Sequence, residues 1–189
     1  MKTYSTEFDT QITDEELLKI SSANPNFLFE LVKGELITMT PVGGFSGNLE
    51  HKYNTIIGQW CIQNNANGYS SSTGFKLPNG DIRLPDAAVL LSEHPILDPK
   101  YDRFIPCSPD FLIEVRSKSN SLSQLKLKMK DWVENGCKLA FMIDPLERKA
   151  YVYRKDGSVT EYPYDATLSG EDVLPGFSVC PEKLDPKRQ

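Results

Sequence analysis

The sequence predicts a mixed-sheet α/β fold, and two observations support this. Segments with helical and strand-like hydrophobic spacing follow one another in the order helix, strand, strand, strand, helix, strand. A hairpin pattern precedes this series and another follows it. A strand, a crossover helix and a further strand usually form parallel neighbours, so we expect the third and fourth core strands to be parallel. We therefore expect an α/β sandwich with extra β-hairpins at both ends.

The N-terminal part predicts one short helix and one hairpin. Thr13-Asp14-Glu15-Glu16 forms a capping box, and Asn24-Pro25 ends the helix that follows. Two strand-like runs, 27–32 and 35–39, meet at Lys33-Gly34. The chain has 189 residues, which suits one domain. The expected organisation is a helical segment over 1–26, a single domain over 27–180 and a tail over 181–189.

The core elements come next. Leu49, Tyr53, Ile57 and Trp60 recur at helical spacing after residue 46. Pro78-Asn79-Gly80-Asp81 is a strong turn signal that predicts a hairpin between its flanking strands. The remaining predicted elements are strands over 69–77, 82–91 and 110–116, a loop over 92–109, a helix from 119–123 to 135, a strand over 138–143, and a hairpin of 148–153 with 159–162.

Composition excludes several classes of protein. The formal net charge of −5 disfavours a general nucleic-acid coat protein and a polybasic membrane-surface protein. The longest wholly apolar run has five residues, starting at Ala87, far short of a membrane span. No signal peptide is visible, and the four cysteines are widely spaced without a Cys/His cluster. We expect a cytoplasmic protein with reduced thiols and no membrane association.

Two carboxylates occupy places where strands are predicted. Asp86 follows Pro85 in the return strand of the hairpin, and Glu114 lies in the apolar strand Phe111-Leu112-Ile113-Glu114-Val115. A carboxylate in such a strand is costly unless it is paired, hydrogen-bonded or bound to a metal. If neighbouring strands bring the two together, they and a backbone carbonyl such as that of Val115 suit Mg²⁺ or Mn²⁺.

A basic segment directly follows Glu114. Residues 116–130 contain five positive charges and no acid: Arg116, Lys118, Lys126, Lys128 and Lys130. Positive charge beside an acidic pair is what cleavage of a polyanion requires. At about 100° per residue, Lys128 falls at the edge of the helix face defined by Leu125, Met129 and Trp132, from which it could reach back over the sheet.

Several of these residues belong to a series of short motifs that resembles the pattern of a known protein family. The chain resembles the bacterial putative restriction endonuclease family within the PD-(D/E)XK nuclease superfamily, over about 27–177, and the superfamily core has the element order derived above. The order and number of the motifs carry the likeness, since each alone is weakly specific. They are Gly34-Glu35-Leu36, Ser72-Thr73-Gly74-Phe75, Pro78-Asn79-Gly80, Leu84-Pro85-Asp86-Ala87, Ser108-Pro109-Asp110 through Ser117, Lys128, Asn135-Gly136, Ile143-Asp144-Pro145 and Leu174-Pro175-Gly176-Phe177.

The resemblance implies a Mg²⁺-dependent hydrolase that cleaves DNA phosphodiester bonds. Asp86 and Glu114 would be the metal ligands, with Val115. The superfamily lysine is replaced by Arg116, which can stabilise charge but cannot act as a base at neutral pH. Lys128 is then the best candidate for the catalytic lysine. Arg116, Lys118 and Lys126 would contact DNA phosphates, and a homodimer is expected because two clefts could face one duplex.

Simpler explanations compete with these roles. Asp86 could only terminate a strand, and Glu114 could form a structural ion pair with Arg116 or Lys128. Lys126 and Lys130 are typical of a solvated helix face. Two other classes of function stay open: a catalytically inactive PD-(D/E)XK fold that binds nucleic acid or a protein partner, which Arg116 favours, and a structural protein that self-associates. Glu35 and Glu50 are candidates for extra acids near the site.

Overall fold

A computed structural model describes residues 12–39, 41–91 and 103–185. The described helices are α1 (Asp14–Ala23), α2 (Gly44–Asn64), α3 (Leu122–Glu134) and α4 (Pro181–Leu184). The described strands are β1 (Leu28–Val32), β2 (Glu35–Met39), β3 (Asn67–Ser70), β4 (Phe75–Lys76), β5 (Ile82–Arg83), β6 (Ala87–Leu90), β7 (Phe111–Val115), β8 (Leu139–Asp144), β9 (Lys149–Arg154), β10 (Val159–Pro163), β11 (Leu168–Ser169) and β12 (Ser178–Val179).

A six-stranded mixed sheet forms the centre, in the order β10-β9-β8-β7-β6-β3. Strands β7 and β8 are parallel, as expected from the crossover through α3, and the other neighbours are antiparallel. One sheet face packs on α2 through residues such as Leu49 and Ile113, and the opposite face packs on α3 through Leu112 and Trp132. The predicted α/β sandwich is therefore confirmed.

The N-terminal hairpin belongs to a second, four-stranded sheet in the order β2-β1-β5-β4. The predicted capping box is present: Thr13 accepts from the Glu16 N–H, and Glu16 accepts from the Thr13 N–H. Lys33 and Gly34 form the hairpin turn with positive φ angles of 52° and 81°, conformations that suit a tight turn. Leu17 of α1 is fully buried beside this sheet, so the N-terminal helix packs on the hairpin.

One prediction was wrong in an informative way. The runs 69–77 and 82–91 do not form one long hairpin, because each splits into two strands. Around the predicted turn, β4 pairs with β5 in the second sheet, whereas β3 pairs with β6 in the central sheet. Pro85 has no N–H for a ladder, and Gly74 lies where a Cβ would come within 2.5 Å of the Phe104 ring.

This split creates the crossing between the two sheets. Leu84-Pro85-Asp86 connects β5 to β6, so Asp86 lies immediately before a strand rather than inside one. The crossing carries the chain from the N-terminal sheet to β6 of the central sheet, between β7 and the edge strand β3. Side chains from both sheets can consequently meet beside Asp86.

The C-terminal part contains more structure than predicted. Strands β11 and β12 pair with each other, and α4 occupies the start of the segment expected to be a tail. Leu184 packs against the core, and its carbonyl accepts from Lys52 Nζ of α2 at 2.8 Å. Residues 186–189 of that tail, 92–102 of the predicted loop and 1–11 of the N-terminal segment lie outside the described residues. None of the helices in the described ranges has the length and apolar character to cross a bilayer.

Candidate active site

Asp86 and Glu114 meet at the end of the β6–β7 ladder. Ala87 pairs with Ile113, and the continuation of this register by one residue places Asp86 opposite Glu114. The Val115 N–H donates to Asp86 Oδ2 at 2.7 Å, so the Asp86 carboxylate closes the ladder where the backbone pairing stops. Glu114 lies on the α3 side of the sheet and is 3% exposed. Neighbouring strands therefore bring the two predicted acids together.

Lys128 reaches this pair from the edge of α3. Its Nζ lies 2.8 Å from Glu114 Oε1 and donates to the Leu84 carbonyl at 2.9 Å. The helix position explains the reach, because Met129 and Trp132 hold the neighbouring face of α3 against the sheet. Trp132 adds a second donor: its Nε1–H donates to the same Glu114 oxygen at 3.1 Å.

Glu30 is a member of the site that the sequence reasoning missed. It lies in the middle of β1, is 3% exposed, and places Oε1 2.9 Å from Lys128 Nζ. The same oxygen accepts from the Leu84 N–H at 2.9 Å. A usable signal was present, because Glu30 is a single acid inside the apolar run Phe27-Leu28-Phe29-Glu30-Leu31-Val32, the same pattern that identified Glu114.

The two extra acid candidates differ in position. Glu50 of α2 is half-buried, and burial together with the charge of Glu114 raises its pKa, so it lies close to the site. Glu35 is exposed at the far end of the β1–β2 hairpin, opposite Val32. Of the two, Glu50 is the one whose carboxyl is affected by the charge of Glu114, and its part in the site stays a prediction. Asn54, one turn further along α2, donates to the Asp86 carbonyl at 2.9 Å and ties the helix to the crossing segment.

Buried negative charge dominates the electrostatics. Burial raises the pKa of Asp86 to about 7, repulsion from Glu50 adds to the effect, and Lys128 and the Val115 N–H oppose it. Burial likewise raises the pKa of Glu114 to about 7, against the stabilising charge of Lys128. One ammonium group thus does not compensate these buried carboxylates. A site with this excess of negative charge favours a further cation.

Lys128 is held as an ammonium ion. Burial alone would lower its pKa, but the carboxylates of Glu114, Glu30 and Asp86 raise the pKa above its ordinary value. Lys128 therefore carries a positive charge throughout the neutral pH range. In this arrangement it can stabilise negative charge and donate hydrogen bonds, but it cannot accept a proton.

The other basic candidates lie elsewhere. Arg116 Nη1 is 2.7 Å from Asp144 Oδ2 and 3.2 Å from Glu147 Oε1, so its guanidinium is bound at the end of β8. Lys118 is exposed between β7 and α3. Lys126 Nζ lies 4.4 Å from the centre of the Tyr151 ring on β9. The structure thus places Lys128 in contact with Glu114 and near enough to Asp86 for its charge to lower the pKa of that carboxyl. The contacts described for Arg116 and Lys126 are made with other groups.

The carboxylates of Asp86 and Glu114 fit a hard divalent cation if water molecules complete its coordination. Within the described residues, no group of three or more His, Cys, Asp and Glu side chains is gathered closely enough to hold a metal ion. The described contacts of Asp86 and Glu114 engage Oδ2 and Oε1, respectively. One oxygen of each carboxylate therefore stays available. Two carboxylate oxygens and water are typical of Mg²⁺, which dehydrates reluctantly and keeps several waters.

Comparison with known proteins gives a consistent result. The sequence pattern of Uma2, described as a putative restriction endonuclease family, matches residues 14–185. A crystal structure from Anabaena variabilis ATCC 29413, described as a putative nuclease belonging to DUF820, superimposes with a TM-score of 0.72 at 18% sequence identity. The match covers 82% of this chain and 88% of that one, and at this identity it shows a shared fold. No curated protein matches the chain.

Proposed function

The chain belongs to the Uma2 putative restriction endonuclease family, and from this premise we propose that it is a Mg²⁺- or Mn²⁺-dependent nuclease that hydrolyses phosphodiester bonds of DNA. The observation that carries the proposal is the meeting of Asp86, Glu114 and Lys128 at the end of one strand pair. Two carboxylates beside one lysine ammonium provide a site for a divalent cation and a donor for a phosphate oxygen.

Each residue has a defined part in this proposal. Asp86 and Glu114, with the Val115 carbonyl, would hold the metal ion. When bound, that ion supplies Lewis acidity toward the phosphodiester and lowers the pKa of a water molecule. The Lys128 ammonium would stabilise the negative charge that develops on the phosphate oxygens and would orient the water by hydrogen bonding. Its raised pKa supports this role rather than that of a general base.

Contacts with the DNA backbone are proposed for the basic segment. Lys118 is exposed near the carboxyl end of β7 and is free to meet a phosphate group. Arg116 is the second candidate, although contact with DNA would compete with its ion pairs to Asp144 and Glu147. Lys126 would contact DNA further from the two acids, beside Tyr151. A homodimer that presents two such sites to one duplex stays a prediction, which sedimentation equilibrium would test. A cytoplasmic location also stays a prediction.

The decisive experiment is cleavage of supercoiled plasmid DNA in Mg²⁺ or Mn²⁺ by the wild type, Asp86→Asn and Glu114→Gln. Both variants preserve side-chain shape, and each should lower the cleavage rate at least about a hundredfold through loss of a metal ligand. Glu35→Gln is the matched control, since Glu35 is exposed and outside the site. Equal rates for all four proteins, or no cleavage above an EDTA control, would contradict the proposal.

A second candidate is a catalytically inactive nuclease fold that binds DNA or a protein. Two observations favour it: Arg116 is engaged by Asp144 and Glu147, and Lys128 already neutralises part of the acidic pair. Calorimetric titration with Mn²⁺ separates the two candidates. The enzyme should bind Mn²⁺ through Asp86, whereas an inactive binding protein should show no such heat and the same DNA affinity in the wild type and Asp86→Asn.

A further inference from the structure

We propose that Glu30 is a positioning residue of this site, which orients the Lys128 ammonium and the segment that carries Asp86; the inference rests on the proposed nuclease function. Glu30 comes from the N-terminal hairpin, outside the central sheet that supplies Asp86 and Glu114. The proposal therefore makes the second sheet part of the catalytic apparatus rather than an appendage.

The contacts of Glu30 join three elements at one carboxylate. Its Oε1 accepts from the Leu84 N–H at 2.9 Å and lies 2.9 Å from Lys128 Nζ. Its Oε2 lies 3.5 Å from Arg83 Nη1. The carboxylate thus binds β5, the crossing segment and α3 at once. At 3% exposure these interactions occur with little competition from water.

The contacts account for the position of the lysine. A lysine stem has four rotatable bonds, so one acceptor does not hold its ammonium in place. Here the three acceptors around Nζ are Glu114 Oε1, Glu30 Oε1 and the Leu84 carbonyl, at 2.8, 2.9 and 2.9 Å. Glu30 supplies one of them directly. It also anchors Leu84, which supplies another and lies two residues before Asp86.

A purely structural ion pair with Arg83 explains the geometry less well. Arg83 makes its closest contact with Asp131 of α3 through Nη2, whereas its distance to Glu30 is 3.5 Å. The nearest cationic nitrogen to Glu30 is Lys128 Nζ at 2.9 Å. The main ion pair of Glu30 is therefore with Lys128 through Oε1, and Arg83 makes a longer contact with Oε2.

The test compares Glu30→Gln with a change at another buried acid, which lies in the turn between β4 and β5 of the same sheet. Glutamine retains an acceptor for the Leu84 N–H but removes the charge. Asp81→Asn is the control, because Asp81 is 4% exposed and accepts from the Lys33 N–H at 2.7 Å, with no described contact to Lys128. We expect Glu30→Gln to lower kcat for Mg²⁺-dependent cleavage about ten- to a hundredfold, with KM within about twofold. Asp81→Asn should keep kcat within about twofold.

A spectroscopic readout separates failure of this inference from failure of the proposed function. In protein labelled with ¹⁵N-lysine, the ordered Lys128 ammonium should give a slowly exchanging resonance that Glu30→Gln weakens or shifts and Asp81→Asn preserves. Loss of cleavage in Asp86→Asn shows that the nuclease assignment stands independently. If the wild type cleaves DNA and Glu30→Gln cleaves equally fast, or if the Lys128 resonance is unchanged, the positioning role is wrong. Should Glu30→Gln not fold, Glu30→Asp, which keeps the charge but shortens the reach, should show the same losses.

Discussion

Lys128 Nζ lies 2.8 Å from Glu114 Oε1, and this contact joins the edge of helix α3 to strand β7 of the central sheet. The sequence places Arg116, not a lysine, two positions after Glu114, and the proposal that Lys128 takes the part of the catalytic lysine agrees with this contact. The helical repeat places Lys128 at the edge of the buried face of α3, and from there its side chain reaches the end of the sheet. Among the described contacts, Lys128 is the cation shared by Glu114 and Glu30, and Arg83 also lies near Glu30.

Replacement of Lys128 should affect stability as well as activity. Lys128→Met would remove the cation in contact with the buried Glu114 carboxylate and the nearer of the two cations at Glu30, where Arg83 would remain. Loss of one partner of a buried ion pair typically costs about 3–5 kcal/mol. We expect a lower urea midpoint at pH 7.5 and cleavage reduced to background. Lys130→Met, an exposed position on the same helix, should stay within about 0.5 kcal/mol of the wild type. Equal midpoints for the two variants would show that the lysine does not neutralise the pair.

The raised pKa values of Asp86 and Glu114 predict an unusual pH dependence of stability. Both carboxyls titrate near 7 in the folded protein and near 4 when unfolded, so between these values the folded state binds more protons. Their contribution to the free energy of unfolding therefore decreases as pH rises from about 4 to about 7. Asp86→Asn/Glu114→Gln removes this dependence. Relative to the wild type, the double variant should become progressively more stable between pH 5 and about pH 7 in EDTA and change little above that, as thermal unfolding can measure.

Metal affinity should depend on pH through the same two groups. A carboxylate must lose its proton before it binds a divalent ion, so Mn²⁺ affinity should rise steeply up to about pH 7 and level off above it. Calorimetry between pH 5.5 and 8.5 checks this. If affinity were already constant from pH 5.5, the ligands would be ordinary carboxylates with low pKa values, and the buried pair would not be the metal site.

Local sequence patterns predicted some residues of the site, but not the contacts between segments that are distant in the chain. Helical spacing correctly placed Lys128 at the edge of α3, and the single acid in the apolar strand correctly marked Glu114 as unusual. Glu30 carried the same mark but was overlooked, because its hairpin was expected to be peripheral. Contacts between distant segments, such as Glu30 with Leu84, cannot be derived from local patterning.

The division of the hairpin into two sheets had a similar cause. Strand propensity and a strong turn predicted a continuous pair, whereas tertiary packing broke both strands. The prediction of one strand over 82–91 ran through Pro85, although proline has no N–H for a ladder and the strand breaks beside it. The sheet that each half joins depends on contacts between distant segments. The role of Asp86 as the residue that ends the crossing could therefore be recognised only in three dimensions.

Substitutions of Arg116 and Lys118 should have different effects, the first on stability and the second on DNA binding. Among the described contacts, Arg116→Met leaves the fully buried Asp144 carboxylate with two backbone donors, the N–H groups of Leu146 and Glu147. This should destabilise the protein by about 1–3 kcal/mol. Lys118→Met should leave stability unchanged and weaken DNA binding mainly at low salt, because one phosphate contact is lost. Chemical denaturation and salt-dependent anisotropy distinguish the two, and the opposite pattern would make Arg116 the phosphate contact.

The indole of Trp132 should tune the acidity of the site. Its Nε1–H donates to Glu114 Oε1 at 3.1 Å, which favours the ionised form of that carboxyl. Trp132→Phe removes the donor, so the pKa of Glu114 should rise further and the pH at which Mn²⁺ binding is half-maximal should move upward. Some stability will also be lost, since Trp132 is fully buried and packs against Phe75. Trp60→Phe is the control, because the Trp60 Nε1–H donates to the Pro175 carbonyl instead. If the pH of half-maximal Mn²⁺ binding rises in Trp132→Phe but not in Trp60→Phe, the Trp132 indole is a determinant of metal binding. Equal pH midpoints in the two variants would show that Trp132 contributes only packing.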